Sequence, residues 1–146
     1  MKKLIIILAL CLVLLILCIC GIKFFKKDKD TTATATVSIS VLNSEGMPSD
    51  INVNLQTDIT TQCIYFLKMP TNLRNVRYQL DFPITEEELE NVIEAKMNEE
   101  NSSVIEITVS AQTKEQSDKI LSALISKTEP LITASYPNVK IAVEYK

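Results

Sequence analysis

The sequence predicts an α+β domain of ferredoxin-like order, β-α-β-β-α-β, with its helices on one face of an antiparallel sheet. One N-terminal transmembrane helix precedes it. Three observations predict this. Four stretches alternate apolar and polar residues, as strands buried on one side do. Two longer stretches repeat apolar residues every three or four positions, the signature of a helix with one oily face. The run Leu4 to Ile22, "LIIILALCLVLLILCICGI", holds no charge at all.

A helix needs about 20 apolar residues to cross a bilayer core, and Leu4 to Ile22 meets that length. Lys23, Lys26, Lys27 and Lys29 close the run. A cleaved secretory signal has a shorter apolar region, roughly 7–15 residues, followed by a small-residue cleavage site. No A-x-A pattern follows here, so the expectation is an uncleaved signal anchor. A lipoprotein would use Cys18 or Cys20, but Leu17 and Ile19 are bulky where a lipobox has a small residue. Cys11, Cys18 and Cys20 otherwise read as small apolar residues of a membrane helix. The expected organisation is a short cytoplasmic start (1–3), the anchor (4–22), a charged juxtamembrane linker (23–30) and an extracytoplasmic domain (31–146). Flanking lysines are nearly balanced, so orientation follows from the short leader, which resembles the start of an exported chain.

Thr34, Thr36, Ser38 and Ser40 alternate with Ala33, Ala35, Val37, Ile39 and Val41, which predicts the first strand. The run "NSEGMPSD" is a loop. In "INVNLQTDITTQCIYFLKM", Leu55, Ile59, Cys63, Phe66 and Leu67 predict a helical stripe. Pro70 interrupts it, Thr71 is expected to cap a further piece with Leu73, Val76 and Leu80 inward, and Pro83 ends that piece. Thr85 and Glu88 form a Thr-x-x-Glu capping box. Ile93, Ala95 and Met97, then Ile105, Ile107 and Val109, predict a hairpin with one oily face. Thr113 and Gln116 predict a second capping box. Ile120, Leu121, Leu124 and Ile125 form the next stripe, which Pro130 is expected to bend or reset. Val139, Ile141, Val143 and Tyr145 alternate as the last strand. The split βαβ arrangement then gives the strand order 4-1-3-2.

The chain carries 15 Lys and Arg against 18 Asp and Glu. Six of the cations and two of the acids lie in the first thirty residues, leaving nine against sixteen beyond them. A net charge near −7 there argues against a nucleic-acid partner, which requires a basic footprint. The lysines of "KFFKK" sit where membrane headgroups would.

Chemistry-bearing patterns are sparse. With no histidine, a His-based triad or proton relay has no base. Gly21 and Gly46 are the only glycines, too few for a phosphate-cradling loop. Glu86, Glu87, Glu88 and Glu90 could be read as a metal or glycosidase site, but acids belong at a helix start for electrostatic reasons alone. Glu99 and Glu100 fall on a loop tip, and Lys114/Asp118 is a helix-surface pair. Cys63 is the only cysteine past the anchor and sits at core spacing. The expectation is therefore a protein that is not an enzyme, with no catalytic, cofactor-binding or metal-ligating residue assigned and no cofactor.

The stretch "ITEEELENVIEAKMNEENSSVIEITVSAQTKEQSDKILSALI" resembles the chain-length determinant family, the polysaccharide co-polymerases of Wzz type. Leu89 and Ile93 match its first turn and strand, Ile105, Ile107 and Val109 its second strand, and Ile120 and Leu124 its helix. Ser117 stands where the family commonly has alanine. The first strand, "ATATVSISV", is similar as well. The resemblance implies a non-catalytic modulator of extracellular or capsular polysaccharide assembly. It would act as a membrane-bound homo-oligomer, with a polysaccharide polymerase or another envelope protein as partner. The family's second membrane helix and longer cytoplasmic start have no counterpart here, so the expectation is a single-pass protein of the cell membrane without a kinase-docking tail. The alternatives are a ring-building or adaptor domain of another envelope machine, or an envelope lipoprotein with a ligand-binding domain.

Overall fold

A computed structural model describes residues 31–49 and 53–146. The expected anchor, the juxtamembrane linker and Cys11, Cys18 and Cys20 lie outside the described residues. Among the described residues no helix is long and apolar enough to cross a membrane.

The fold is α+β, with four strands and four helices among the described residues. In chain order these are β1 (Thr32–Val41), α1 (Val53–Lys68), α2 (Pro70–Gln79), α3 (Glu86–Val92), β2 (Ile93–Met97), β3 (Val104–Ser110), α4 (Lys114–Ser135) and β4 (Val139–Tyr145). The sheet is antiparallel throughout, in the order β2-β3-β1-β4. This is the expected 4-1-3-2 order read from the other end.

Period-two patterning sets which side of the sheet is wet. Ala33, Ala35, Val37 and Ile39 of β1 are buried beneath the helices, while Thr32, Thr34, Thr36 and Ser38 between them are not. Ile105, Ile107 and Val109 continue the buried side through β3. Ile107 lies opposite Ala35 on one neighbour and Ala95 on the other. Two small residues beside a large one let the helices settle close to the sheet. Ile120, Leu121, Leu124 and Ile125 of α4 fill that space, all buried as their spacing predicts.

The first helix departs from expectation at one turn. Leu55 is 51% exposed. Gln56 instead faces the sheet, its side-chain amide donating to the Ile39 carbonyl at 3.4 Å. The inward stripe of α1 is therefore Gln56, Ile59, Thr60, Cys63 and Leu67, and Leu55 stands about 100° away from its centre. Helix α2 begins with Pro70, and Met69 rather than Thr71 occupies the cap position without a side-chain bond. Proline suits a first helical position, where its missing N–H has no partner to lose. The helix ends at Gln79, before Pro83 is reached.

Both halves of the Thr85 capping box are present. Thr85 Oγ1 accepts from the Glu88 backbone N–H at 3.1 Å, and the Glu88 carboxylate accepts from the Thr85 N–H at 2.8 Å. The Thr85 backbone N–H, followed by its hydroxyl, holds the Glu88 carboxyl below its ordinary range. Its folded pKa is thus depressed, so this contribution is present above the unfolded glutamate pKa and fades as pH falls through the folded one. Thr85→Ala should lower domain stability by about 1 kcal/mol, the usual worth of a Thr cap. A urea titration followed by pulse proteolysis would measure it, and an unchanged midpoint would mean that α3 does not depend on its cap. At Thr113 only half of the second box is made: its hydroxyl accepts from the Gln116 N–H at 3.2 Å.

Pro130 does not break α4, which runs continuously from Lys114 to Ser135. Pro130 is on the exposed side, while Thr128 and Ile132 next to it are buried. Packing of the buried side carries the helix through a position where proline removes one hydrogen bond.

Candidate functional site

The helices roof one side of the sheet, and among the described residues nothing covers the other side. Its residues line up in rows across the strands. One row runs Lys96, Glu106, Thr36, Glu144, and the next runs Glu94, Thr108, Thr34. Lys96 Nζ stands 3.9 Å from Glu106, whose other carboxylate oxygen accepts from Asn98 Nδ2 at 2.8 Å. The Ser and Thr hydroxyls between these charges offer hydrogen bonds but little apolar area. Such a surface tolerates water and suits a polar neighbour.

The acidic run at the start of α3 is committed to structure. Glu86 meets Arg74 Nε at 3.2 Å and Arg77 Nη1 at 3.7 Å, and Glu88 closes the capping box. Glu87 and Glu90 point to solvent, as do Glu99 and Glu100 on the hairpin loop. Among the described residues no group of three or more His, Cys, Asp or Glu could hold a metal ion. Cys63 is fully buried, and burial pushes its thiol up to about 11, which keeps it protonated and unreactive.

An open cleft lies between the end of α2 and the start of α4, lined by Leu80, Asp81, Lys114, Asp118, Lys119 and Ser122, among others. Its charges satisfy one another. Lys119 Nζ bridges Asp81 at 2.8 Å and Glu115 at 3.0 Å, and Lys114 pairs with Asp118. The bond from Lys119 holds the Asp81 carboxyl below its usual range, and Asp81 and then Glu115 hold the Lys119 ammonium above its own. A ligand would have to displace these pairs before meeting a free charge.

Three buried polar residues organise the scaffold, and periodicity alone does not reveal them. Ser117 accepts from the Ala111 N–H at 2.8 Å and donates to the Thr31 carbonyl. It thereby fastens the entry of β1 to α4, which gives the serine a role that alanine could not fill. Asn72 donates to the Phe66 and Leu67 carbonyls at the end of α1 and to Thr128 Oγ1 on α4. The signal for Asn72 was faint but readable: a polar residue between Pro70 and the apolar pair Leu73/Val76, one turn past a helix end. The hairpin loop is likewise shaped by Asn98 and Asn101, whose side chains accept from backbone N–H groups within it.

The fold and this open surface define an α+β module with a half-covered antiparallel sheet. No family model and no curated protein matches the chain. Among solved structures it is similar to a de novo designed protein with a ferredoxin fold, determined by solution NMR. That likeness has 18% identity and a TM-score of 0.44, covering 79% of this chain and 84% of the designed one.

Proposed function

We propose that this protein is a non-catalytic, membrane-anchored assembly module of the cell envelope that works by homo-oligomerisation. Its domain would lie outside the cytoplasmic membrane and modulate extracellular or capsular polysaccharide assembly, as the sequence resemblance to the co-polymerases implies. One observation carries the reading: among the described residues the sheet is roofed on one side only, leaving a polar face and two strand edges for neighbours. Anchoring all copies through residues 4–22 would confine them to one plane. Confinement raises their effective concentration, so a weak lateral contact suffices.

The same open sheet would serve a ring-building or adaptor domain of another envelope machine. Neighbouring genes separate the two: glycosyltransferases and a flippase favour the first, secretion or sporulation components the second. For either, lysine-reactive crosslinking of the full-length protein in intact cells should give dimers and higher species at native expression. A result of monomer alone would remove the mechanism.

A further inference from the structure

We propose that the free edge of β4 pairs with β4 of a second copy about a two-fold axis at Ala142, joining two sheets into one. This deepens the homo-oligomeric reading and rests on it. Among the described residues the strand is outermost in the sheet, with one edge unpaired.

The backbone phase of β4 is set by its bonds to β1. The Leu42 N–H donates to the Asn138 carbonyl at 2.7 Å, and the Lys146 N–H donates to the Thr34 carbonyl at 3.0 Å. Hydrogen-bonded pairs alternate along an antiparallel ladder. Lys140, Ala142 and Glu144 therefore turn their backbone groups toward β1, and Ile141, Val143 and Tyr145 turn theirs outward, with the Val139 N–H already held by the Tyr136 carbonyl at 3.0 Å. Two copies can pair only where outward residues meet outward residues.

Side-chain charge then selects the register. Centred on Ala142, the pairing sets Val139 against Tyr145, Lys140 against Glu144 and Ile141 against Val143. Two opposite-charge pairs form, one on each side of the axis. Centred on Val143, Lys140 would face Lys146, and Glu144 would face Ala142. Centred on Ile141, Lys140 would face Ala142, and Glu144 would face Asn138. Only the Ala142 register keeps the ion pairs. Neither Lys140 nor Glu144 makes an ion pair with another described residue.

The inner side of β4 is the least covered part of the core. Ile141 and Val143 are half-buried and Tyr145 is 58% exposed, although their row partners Ile39, Val37 and Ala35 are buried. A narrow apolar crevice lined by Ile132, Ile141 and Val143 opens beside them. In the Ala142 register the second copy brings the same apolar residues against these. Two of the usual guards against pairing are missing, since the ladder with β1 runs without a bulge and the strand holds no proline, and the charges at Lys140 and Glu144 are the ones this register pairs. The opposite edge offers less. Strand β2 has five residues against seven, and Lys96 is already beside Glu106.

The axis makes Ala142 face its own copy as a non-hydrogen-bonded pair, with Cα atoms about 4.5 Å apart. That falls within the roughly 4.4–6.8 Å over which a disulfide closes. The test uses the full chain with Cys11, Cys18 and Cys20 replaced by serine and Cys63 left in the core. Mild oxidation of membranes carrying Ala142→Cys should give a disulfide-linked dimer, while Thr36→Cys, central on the open face, should stay monomeric. Adding Lys140→Glu to Ala142→Cys should reduce the dimer at least tenfold. Adding Lys140→Glu and Glu144→Lys together should restore it. If Ala142→Cys stays monomeric while lysine-reactive crosslinking still yields oligomers, the edge pairing is overturned and the homo-oligomer stands. If neither crosslinks, both fall. A Thr36→Cys dimer as strong as that at Ala142, or a dimer indifferent to Lys140→Glu, also overturns the pairing.

Discussion

Ile107→Asp should leave the domain without a folded baseline at neutral pH. Ile107 is 1% exposed and sits in the middle strands of the sheet, between Ala35 and Ala95. Among the described residues no cationic side chain is buried in that layer, and Lys96 and Lys140 both point to the open side. A buried, unpaired carboxylate costs several kcal/mol even after relaxation, and losing the isoleucine side chain adds about 2–5 more. Together these match or exceed the roughly 5–15 kcal/mol that holds a small domain folded. Thr34→Asp, on the open face of the neighbouring strand, should change little. Pulse proteolysis of the full chain across a urea series separates the outcomes. A cooperative transition for Ile107→Asp near the native midpoint would show that this side of β3 is not the core.

Much of this architecture was legible because two simple periods govern it. Alternation located the β1 inner face at Ala33 to Ile39 and the hairpin core at Ile105, Ile107 and Val109, and all of these are buried. The Thr85/Glu88 spacing located α3, and its box is complete. Expectations failed where tertiary contacts overrule local pattern. Leu55 kept the helical period but lost its place because Gln56 reaches the Ile39 carbonyl. Pro130, expected to bend or reset the helix, does not interrupt it: it lies on the wet side while Thr128 and Ile132 hold the other side to the core. Tyr145 continues the alternation of β4 but lies 58% exposed at the sheet edge, with no further strand among the described residues to cover it. The open side of the sheet was readable as a Ser/Thr ribbon. What meets it was not, since a period reports which side is wet and says nothing of what lies beyond. The self-complementary order of β4, Lys140 to Glu144 around Ala142, becomes meaningful only once β4 is known to be an edge.

Asn72→Asp should destabilise the domain in a pH-dependent way that Asn72→Ala does not share. Asn72 is fully buried, and its amide nitrogen donates to the Phe66 carbonyl at 3.0 Å, the Leu67 carbonyl at 3.4 Å and Thr128 Oγ1 at 2.8 Å. The Thr128 hydroxyl spends its own proton on the Leu124 carbonyl at 2.7 Å. All three partners therefore require a donor at this point, which fixes the orientation of the amide. The other amide atom, Oδ1, is buried without a hydrogen-bond partner among the described residues. Aspartate has nearly the same shape, but its ionised form has no donor and would aim negative charge at three oxygens. Only the protonated acid can replace one of the lost bonds. The folded-state pKa of the new carboxyl is thus raised above its unfolded value of about 3.9. Below that pH both states carry the proton, and the loss resembles that of a missing hydrogen bond, about 1–3 kcal/mol. As pH rises toward the folded pKa, the unfolded chain releases its proton first, and stability falls by about 1.4 kcal/mol per pH unit. Asn72→Ala also strands the Phe66 and Leu67 carbonyls but carries no titrating group, so its deficit relative to the parent should stay level. Urea midpoints of the three proteins at pH 4.5 and pH 7.5 decide the matter. If Asn72→Asp tracks Asn72→Ala at both values, the amide does not bind α1 to α4, and the helical layer that leaves the sheet's other side open is held by apolar packing alone.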